Sequence, residues 1–173
     1  MTKKRGFTLI ELMVVIGIIS IIIAIAVPNF AGIQQRARIR SGAQQIAQDL
    51  RQIRERALSI GQRFLVTRPD DRHYQVTSPN GTVTTYRLGQ TTGGHLRFGV
   101  SAGVSSTPPE ANQPSPPANG FDFPTNTLIL EPRGAASKGV IYVTDGRENY
   151  AVGINSLGKI RVYIYGNGAW SGL

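Results

Sequence analysis

One carboxylate stands where carboxylates are costly. Between Leu9 and Val27 only Glu11, Gly17 and Ser20 interrupt a run of apolar residues. A charged side chain in a membrane-length segment costs on the order of 2.5–3.5 kcal/mol at mid-helix and less near an end, and it usually marks a function. The chemistry open to Glu11 is charge pairing. If the chain is cut between Gly6 and Phe7, the new α-amine lies four residues from Glu11. The amine of a neighbouring subunit can then neutralise that carboxylate inside a membrane or a helical bundle, where low dielectric makes the pairing count. Glu11 is therefore the candidate charge partner of such an amine.

The elements that position these groups follow from the flanking sequence. Lys3, Lys4 and Arg5 precede the apolar run, which places the N-terminus in the cytoplasm and the remainder across the membrane. A helix from Phe7 to Val27 measures roughly 30 Å at 1.5 Å per residue, the thickness of a bilayer's hydrocarbon core. Three readings compete: a secretory signal peptide, for which Ala24-Ile25-Ala26 supplies a cleavage site; an uncleaved anchor; and a short leader whose removal leaves the helix in place. Only the third has a use for Glu11. Pro28 removes an amide donor and crowds the preceding turn, so a helix break is expected there. Beyond it Ile39, Ala43, Ile46, Leu50, Ile53, Ala57 and Ile60 keep an alternating spacing of four and three, an apolar stripe expected to pack on the chain's own sheet. The opposite face carries Arg36, Arg38, Arg40, Arg51, Arg54, Arg56 and Arg63 against Asp49 and Glu55. That face suits solvent, acidic neighbours or phosphate head groups. Gly61 is a plausible end of the helix.

After Gly61 the pattern changes to short β-like runs: Phe64–Thr67, Tyr74–Thr77, Val83–Leu88, Leu96–Val100, Thr127–Leu130, Val140–Thr144, Tyr150–Ile154 and Lys159–Tyr165. Asn80-Gly81 and Asp145-Gly146 signal hairpins with type I′ turns. Residues 101–119 hold prolines at 108, 109, 114, 116 and 117 and predict an exposed, mobile loop. The expected architecture is α+β, a long N-terminal helix packed on an antiparallel β-sheet head. Its parts are a leader (1–6), a membrane and filament-core helix (7–30), an amphipathic helix (31–61) and a β-rich head (62–173).

Other chemistry is scarce. There are no cysteines, hence no disulfide or thiolate metal site. His73 and His95 have no ligand-spaced partners, and Asp70-Asp71 before Arg72 is most simply a turn. No nucleophile elbow, P-loop or dinucleotide fingerprint occurs. Neither an enzyme nor a cofactor nor a metal is expected. The formal charge of +9 falls to +6 without Lys3, Lys4 and Arg5, an excess that suits nucleic acid, anionic lipid or an acidic partner alike. Tyr163, Tyr165 and Trp170 follow Lys159 and Arg161; such a cluster binds single strands in some proteins, while aromatics in a terminal strand more often pack a sheet.

Lys3-Lys4-Arg5-Gly6-Phe7-Thr8-Leu9-Ile10-Glu11-Leu12 resembles the type III signal of type IV pilins and type II secretion pseudopilins, a likeness that extends to Pro28. The resemblance implies cleavage after Gly6 and N-methylation of Phe7 by a prepilin peptidase. It also implies a role for Glu11 in methylation and subunit register, and a helix break at Pro28. More loosely, Phe121-x-Phe123-Pro124, Gly139-Val140-Ile141-Tyr142-Val143 and Asn155-Ser156-Leu157-Gly158-Lys159-Ile160-Arg161-Val162 resemble the H-type minor pseudopilins and related minor pilins, the GspH/FimT group. That group usually reads Gly-Arg-x-Arg here. Lys159 replaces the first arginine, keeping charge but losing the bidentate fork, and Arg161 keeps the second. In DNA-binding relatives the motif contacts DNA, which makes Lys159 and Arg161 candidate nucleic-acid contacts.

The resemblance implies a minor pseudopilin of a type II secretion system. Such a subunit spans the bacterial inner membrane once, with a periplasmic head, and is assembled with other pseudopilins into a pseudopilus that meets secreted proteins. The alternative is a minor pilin of a type IV pilus, with DNA binding and uptake as its further role.

Overall fold

A computed structural model describes residues 7–90 and 96–173, with the side chains of residues 27–31 outside the described set. The leader, Met1–Gly6, and His95 are likewise outside it. The chain divides into two compact units, Met1–Arg36 and Ala37–Leu173. One helix, α1, is assigned from Leu9 to Ile60. The break expected at Pro28 falls on residues outside the described side chains.

In the first unit α1 is exposed on all sides: every large apolar side chain from Leu9 to Ile25 is open, and Leu9–Ala26 is long and apolar enough to cross a membrane. The Ser20 hydroxyl donates to the Ile16 carbonyl at 2.8 Å, so that polar group is satisfied within the helix.

In the second unit the stripe is buried as its spacing predicts. Ile39, Ala43, Ile46, Leu50, Ile53 and Ala57 join one core with Phe64, Val66, Leu128, Leu130, Val152 and Ile154. Ala47 belongs to it as well, and Ile60 does not, being 53% exposed. The helix ends at Gly61 (φ 65°), where the Gln62 amide donates back to the Ala57 carbonyl at 3.2 Å, closing a Schellman motif.

The head holds two antiparallel sheets. The strands are β1 (Phe64–Thr67), β2 (His73–Thr77), β3 (Val83–Arg87), β4 (Arg97–Phe98), β5 (Phe121–Asp122), β6 (Thr127–Leu130), β7 (Gly139–Thr144), β8 (Asn149–Ile154), β9 (Ile160–Gly166) and β10 (Ala169–Gly172). The first sheet runs β3-β2-β1-β6 and the second β10-β9-β8-β7-β4, with β5 also on β7. β5 and β10 had no sequence signal strong enough to predict them. Neither Asn80 nor Asp145 has positive φ, so the two expected type I′ turns do not form; only Gly81 (φ 83°) and Gly146 (φ 92°) enter that region. Each of these connections is longer than two residues, and side-chain oxygens organise it: Asp145 Oδ1 accepts the amides of Arg147 and Glu148. The two-residue I′ turn is instead Asn167-Gly168, with φ of 52° and 80°, joining β9 to β10.

Residues 101–119 form no helix or strand, as expected, and several contacts tie the loop down as a strap. Their prolines exclude regular structure, but fixed contacts replace it. Ser101 and Asn149 exchange two hydrogen bonds of 2.7 Å. The Trp170 indole donates to the Ser106 carbonyl at 2.8 Å, and Asp122 Oδ2 accepts the Asn112 amide at 2.7 Å. The strap covers the face of the second sheet turned away from α1, where Val140, Tyr142, Ala151 and Tyr163 form a smaller apolar cluster with Ala111 and Trp170. That is why β7 and β8 are buried at every position.

One polar contact ties α1 to the first sheet: the Tyr74 hydroxyl donates to Asp49 Oδ2, and the Tyr74 ring stacks on Tyr86 at 5.1 Å. Burial pushes the Asp49 carboxyl above its ordinary range, with the Tyr74 hydrogen bond opposing in part. The native state thus holds the Asp49 proton more tightly than the unfolded chain does. The resulting stabilisation is full below the ordinary carboxylate pKa and is lost as pH rises through the raised native value. Asp49→Asn, which keeps an acceptor for Tyr74, should gain stability over the parent at pH 7 and little at pH 4. Tyr74→Phe should cost about 1–2 kcal/mol by leaving a half-buried carboxylate without its donor. Urea unfolding of the head at both pH values checks the pair.

Candidate functional site

The N-terminal turn of α1 is built around Glu11. Thr8 caps the helix: its hydroxyl accepts the Glu11 amide at 3.3 Å, while Glu11 Oε2 accepts both the Thr8 amide and the Thr8 hydroxyl at 2.9 Å. This is a reciprocal capping box, Thr-x-x-Glu, which places the carboxylate at the positive end of the helix dipole. The sequence carries that signal in Thr8-Leu9-Ile10-Glu11, and the reading of Glu11 as a charge partner alone passed over it. Phe7, directly before the cap, is 84% exposed. Phe7, Ile10, Glu11, Val14 and Val15 line one shallow groove on the helix surface, so the junction residue and the carboxylate open onto the same space. Gly6 lies outside the described residues.

The arginine face of α1 is only partly a solvated face. Arg54 Nε donates to the Gly134 carbonyl at 3.0 Å and its Nη2 to the Leu157 carbonyl at 3.4 Å. Arg51 Nη2 reaches the Ile160 carbonyl at 3.3 Å, and Arg63 pairs with Glu131 at 3.0 Å. Arg51 and Arg54 fasten the helix to the head, while Arg63 lies just beyond the helix end. Arg40 and Arg56 are exposed.

Lys159 and Arg161 are held differently. Lys159 is exposed at the turn between β8 and β9, where Asn155 Oδ1 accepts its amide at 2.8 Å. Arg161 lies on β9 with its guanidinium 3.7 Å from Glu110 Oε1, a strap carboxylate that is buried and accepts the Tyr163 hydroxyl at 2.9 Å. Gly153 leaves the space Glu110 occupies: a Cβ there would lie 2.7 Å from Glu110 Oε2. Part of the motif's charge is therefore answered inside the chain, a link that sequence spacing had no means of revealing. Trp170 packs on Tyr142 (5.7 Å) and Tyr165 (5.2 Å) and Tyr163 is buried, so these aromatics serve the sheet and the strap. Asp70 forms the expected turn. It accepts the amides of Arg72 and His73 and contacts the His73 ring at 2.8 Å, and the backbone donors, Arg72 foremost, hold its carboxyl below the ordinary range. Among the described residues no group of three or more His, Cys, Asp or Glu is placed to hold a metal ion.

An exposed apolar helix opening at a capped carboxylate, together with a separate antiparallel head on an amphipathic stripe, defines a type IV pilin-like subunit. Residues 1–27 match the prokaryotic N-terminal methylation motif, and residues 42–158 match the family described as Type II transport protein GspH. The second match covers more than half of the chain, and the chain belongs to that family. It is also similar to the Type IV major pilin protein PilA of Myxococcus xanthus (strain DK1622), 58% identical over 36 residues, or 21% of this chain and 16% of the relative. A similar likeness links it to Prepilin peptidase-dependent protein D of Escherichia coli (strain K12), 56% identical over 39 residues, or 22% of this chain and 27% of the relative. The matched segments span well under two thirds of either relative. No solved structure matches the chain.

Proposed function

We propose that the chain is a minor pseudopilin of a type II secretion system, cut after Gly6, methylated on Phe7 and assembled through its membrane helix with a periplasmic head. The observation that supports this reading is the match of residues 42–158, most of the head, to the family described as Type II transport protein GspH. The Type IV major pilin and the prepilin peptidase-dependent protein are matched over 36 and 39 residues only, a short stretch of each chain. Deleting the gene in its host tests the proposal: loss of protein export across the outer membrane with pili and DNA uptake intact is expected, and the reverse pattern would make it a pilus subunit.

Processing gives a second expected result. The mature protein should begin at a methylated Phe7, read by mass spectrometry of the membrane-extracted chain. A mature N-terminus at Val27 would mean an ordinary signal peptide and would overturn the assembly reading.

The DNA-uptake alternative rests on Lys159 and Arg161. Because Arg161 faces Glu110, binding of the head to duplex DNA should be weak, sequence-independent and steeply salt-dependent. Lys159→Ala with Arg161→Ala should lose no more affinity than Arg40→Ala with Arg56→Ala at about 0.15 M salt, where exposed charges are screened within roughly 8 Å. Arg51 and Arg54 are unsuitable controls, since their removal would loosen the fold. Fluorescence anisotropy across a salt series decides. Low-micromolar binding abolished only by the first pair would favour the pilus reading.

A further inference from the structure

The two ends of the first sheet are finished differently. At the β6 end, Ser137 covers the outer edge: its amide donates to the Ile129 carbonyl at 2.9 Å and its hydroxyl accepts the Ile129 amide at 3.2 Å. At the other end β3 pairs, among the described residues, only with β2. The Ser78 amide bonds the Thr82 carbonyl and the Leu88 amide bonds the Arg72 carbonyl, both at 2.8 Å. In antiparallel register, bonded and non-bonded pairs alternate. The bonded pairs are therefore Val76 with Thr84 and Tyr74 with Tyr86, and the main-chain groups of Val83, Thr85 and Arg87 point away from the sheet. Of these, only the Arg87 carbonyl has a described partner, the Gln90 amide at 3.4 Å. The strand reads Val-Thr-Thr-Tyr-Arg, without the proline, lysine or bulge that natural proteins use to blunt an edge.

We propose that this edge is an interface between two copies of the chain, β3 against β3 in antiparallel order about a twofold axis at Thr85. The pattern is self-complementary, as a twofold contact requires. Thr85 meets Thr85 of the second copy through two main-chain hydrogen bonds, and each Arg87 amide meets the other copy's Val83 carbonyl. Side chains agree: threonine faces threonine, and each arginine faces a valine, so no like charges stand directly opposite. The two Arg87 positions are four residues apart along the strand, roughly 13–14 Å at 3.4 Å per residue, beyond the screening length of about 8 Å. The other side of β3 is already committed, with Tyr86 stacked on Tyr74 over the core, so pairing adds to the sheet without disturbing the fold. A second copy satisfies these conditions at once, which is why the proposal names it as the occupant.

The absence of native cysteine makes the test direct. Directly opposed residues of a bonded antiparallel pair have Cα atoms about 5.5 Å apart, within disulfide reach. Thr85→Cys in the full chain, oxidised in native membranes, should give a disulfide-linked homodimer. Gln75→Cys, one strand further in on each side, should not, and Leu157→Cys, on an exposed turn, reports random collision. A second variant tests the main-chain bonds. Thr85→Pro removes an amide that points outward, so circular dichroism should be unchanged while homodimer captured by a bifunctional lysine reagent falls at least fivefold. The proposal is overturned if Thr85→Cys gives no more dimer than Leu157→Cys, if its adducts contain only other proteins, or if Thr85→Pro leaves capture unchanged in a folded chain.

Discussion

Replacing Glu11 with valine is expected to leave membrane insertion intact, or to improve it, and to abolish incorporation into the filament. Insertion should not suffer because an ionisable group leaves the bilayer segment. Assembly should fail because a neighbour's Phe7 amine loses its counter-charge. The capping box adds a second route to the same defect, since valine cannot accept the Thr8 amide as Glu11 Oε2 does. Glu11→Gln separates the two. Glutamine closes a capping box but carries no charge, so it should restore the helix start and still fail to assemble if charge pairing is the cause. Recovery of each variant with partner pilins after cross-linking measures both. Valine at parental levels would leave Glu11 without an assembly role; glutamine at parental levels would reduce that role to the cap.

A large stability effect is expected at Gly158. Its φ is 72°, and a Cβ built there lies 2.2 Å from the Gly134 carbonyl oxygen and 2.4 Å from Arg54 Nε. The carbonyl is backbone, and Arg54 is fixed on it by its own hydrogen bond. Gly158→Ala should therefore combine left-handed strain with overpacking and cost about 2–4 kcal/mol. Gly81→Ala is the matched control: φ is 83°, nothing lies within 4 Å, and about 1–2 kcal/mol of strain is expected alone. Urea unfolding of both variants checks the difference. Equal losses would mean that the Gly158 turn moves freely away from α1.

Periodicity and composition made much of this chain legible. An apolar segment of membrane length needs no tertiary contact to be recognised, and Glu11 within it is conspicuous because burying charge is costly. The buried stripe from Ile39 to Ala57 and the strands Phe64–Thr67 and Thr127–Leu130 follow from helical and alternating spacing, signals each segment carries by itself. Tertiary structure decided what distant segments do to one another. Prolines in residues 101–119 exclude a helix, but only the apolar face of β7, β8 and β9 makes that segment a strap. Glu110 meets Tyr163 from 53 positions away, and Arg54 meets Gly134 from 80. The sequence therefore displayed Arg51, Arg54 and Arg161 as free charge, because local patterns record a residue's type and spacing. Which carbonyl or carboxylate answers that charge is set by how the chain closes on itself.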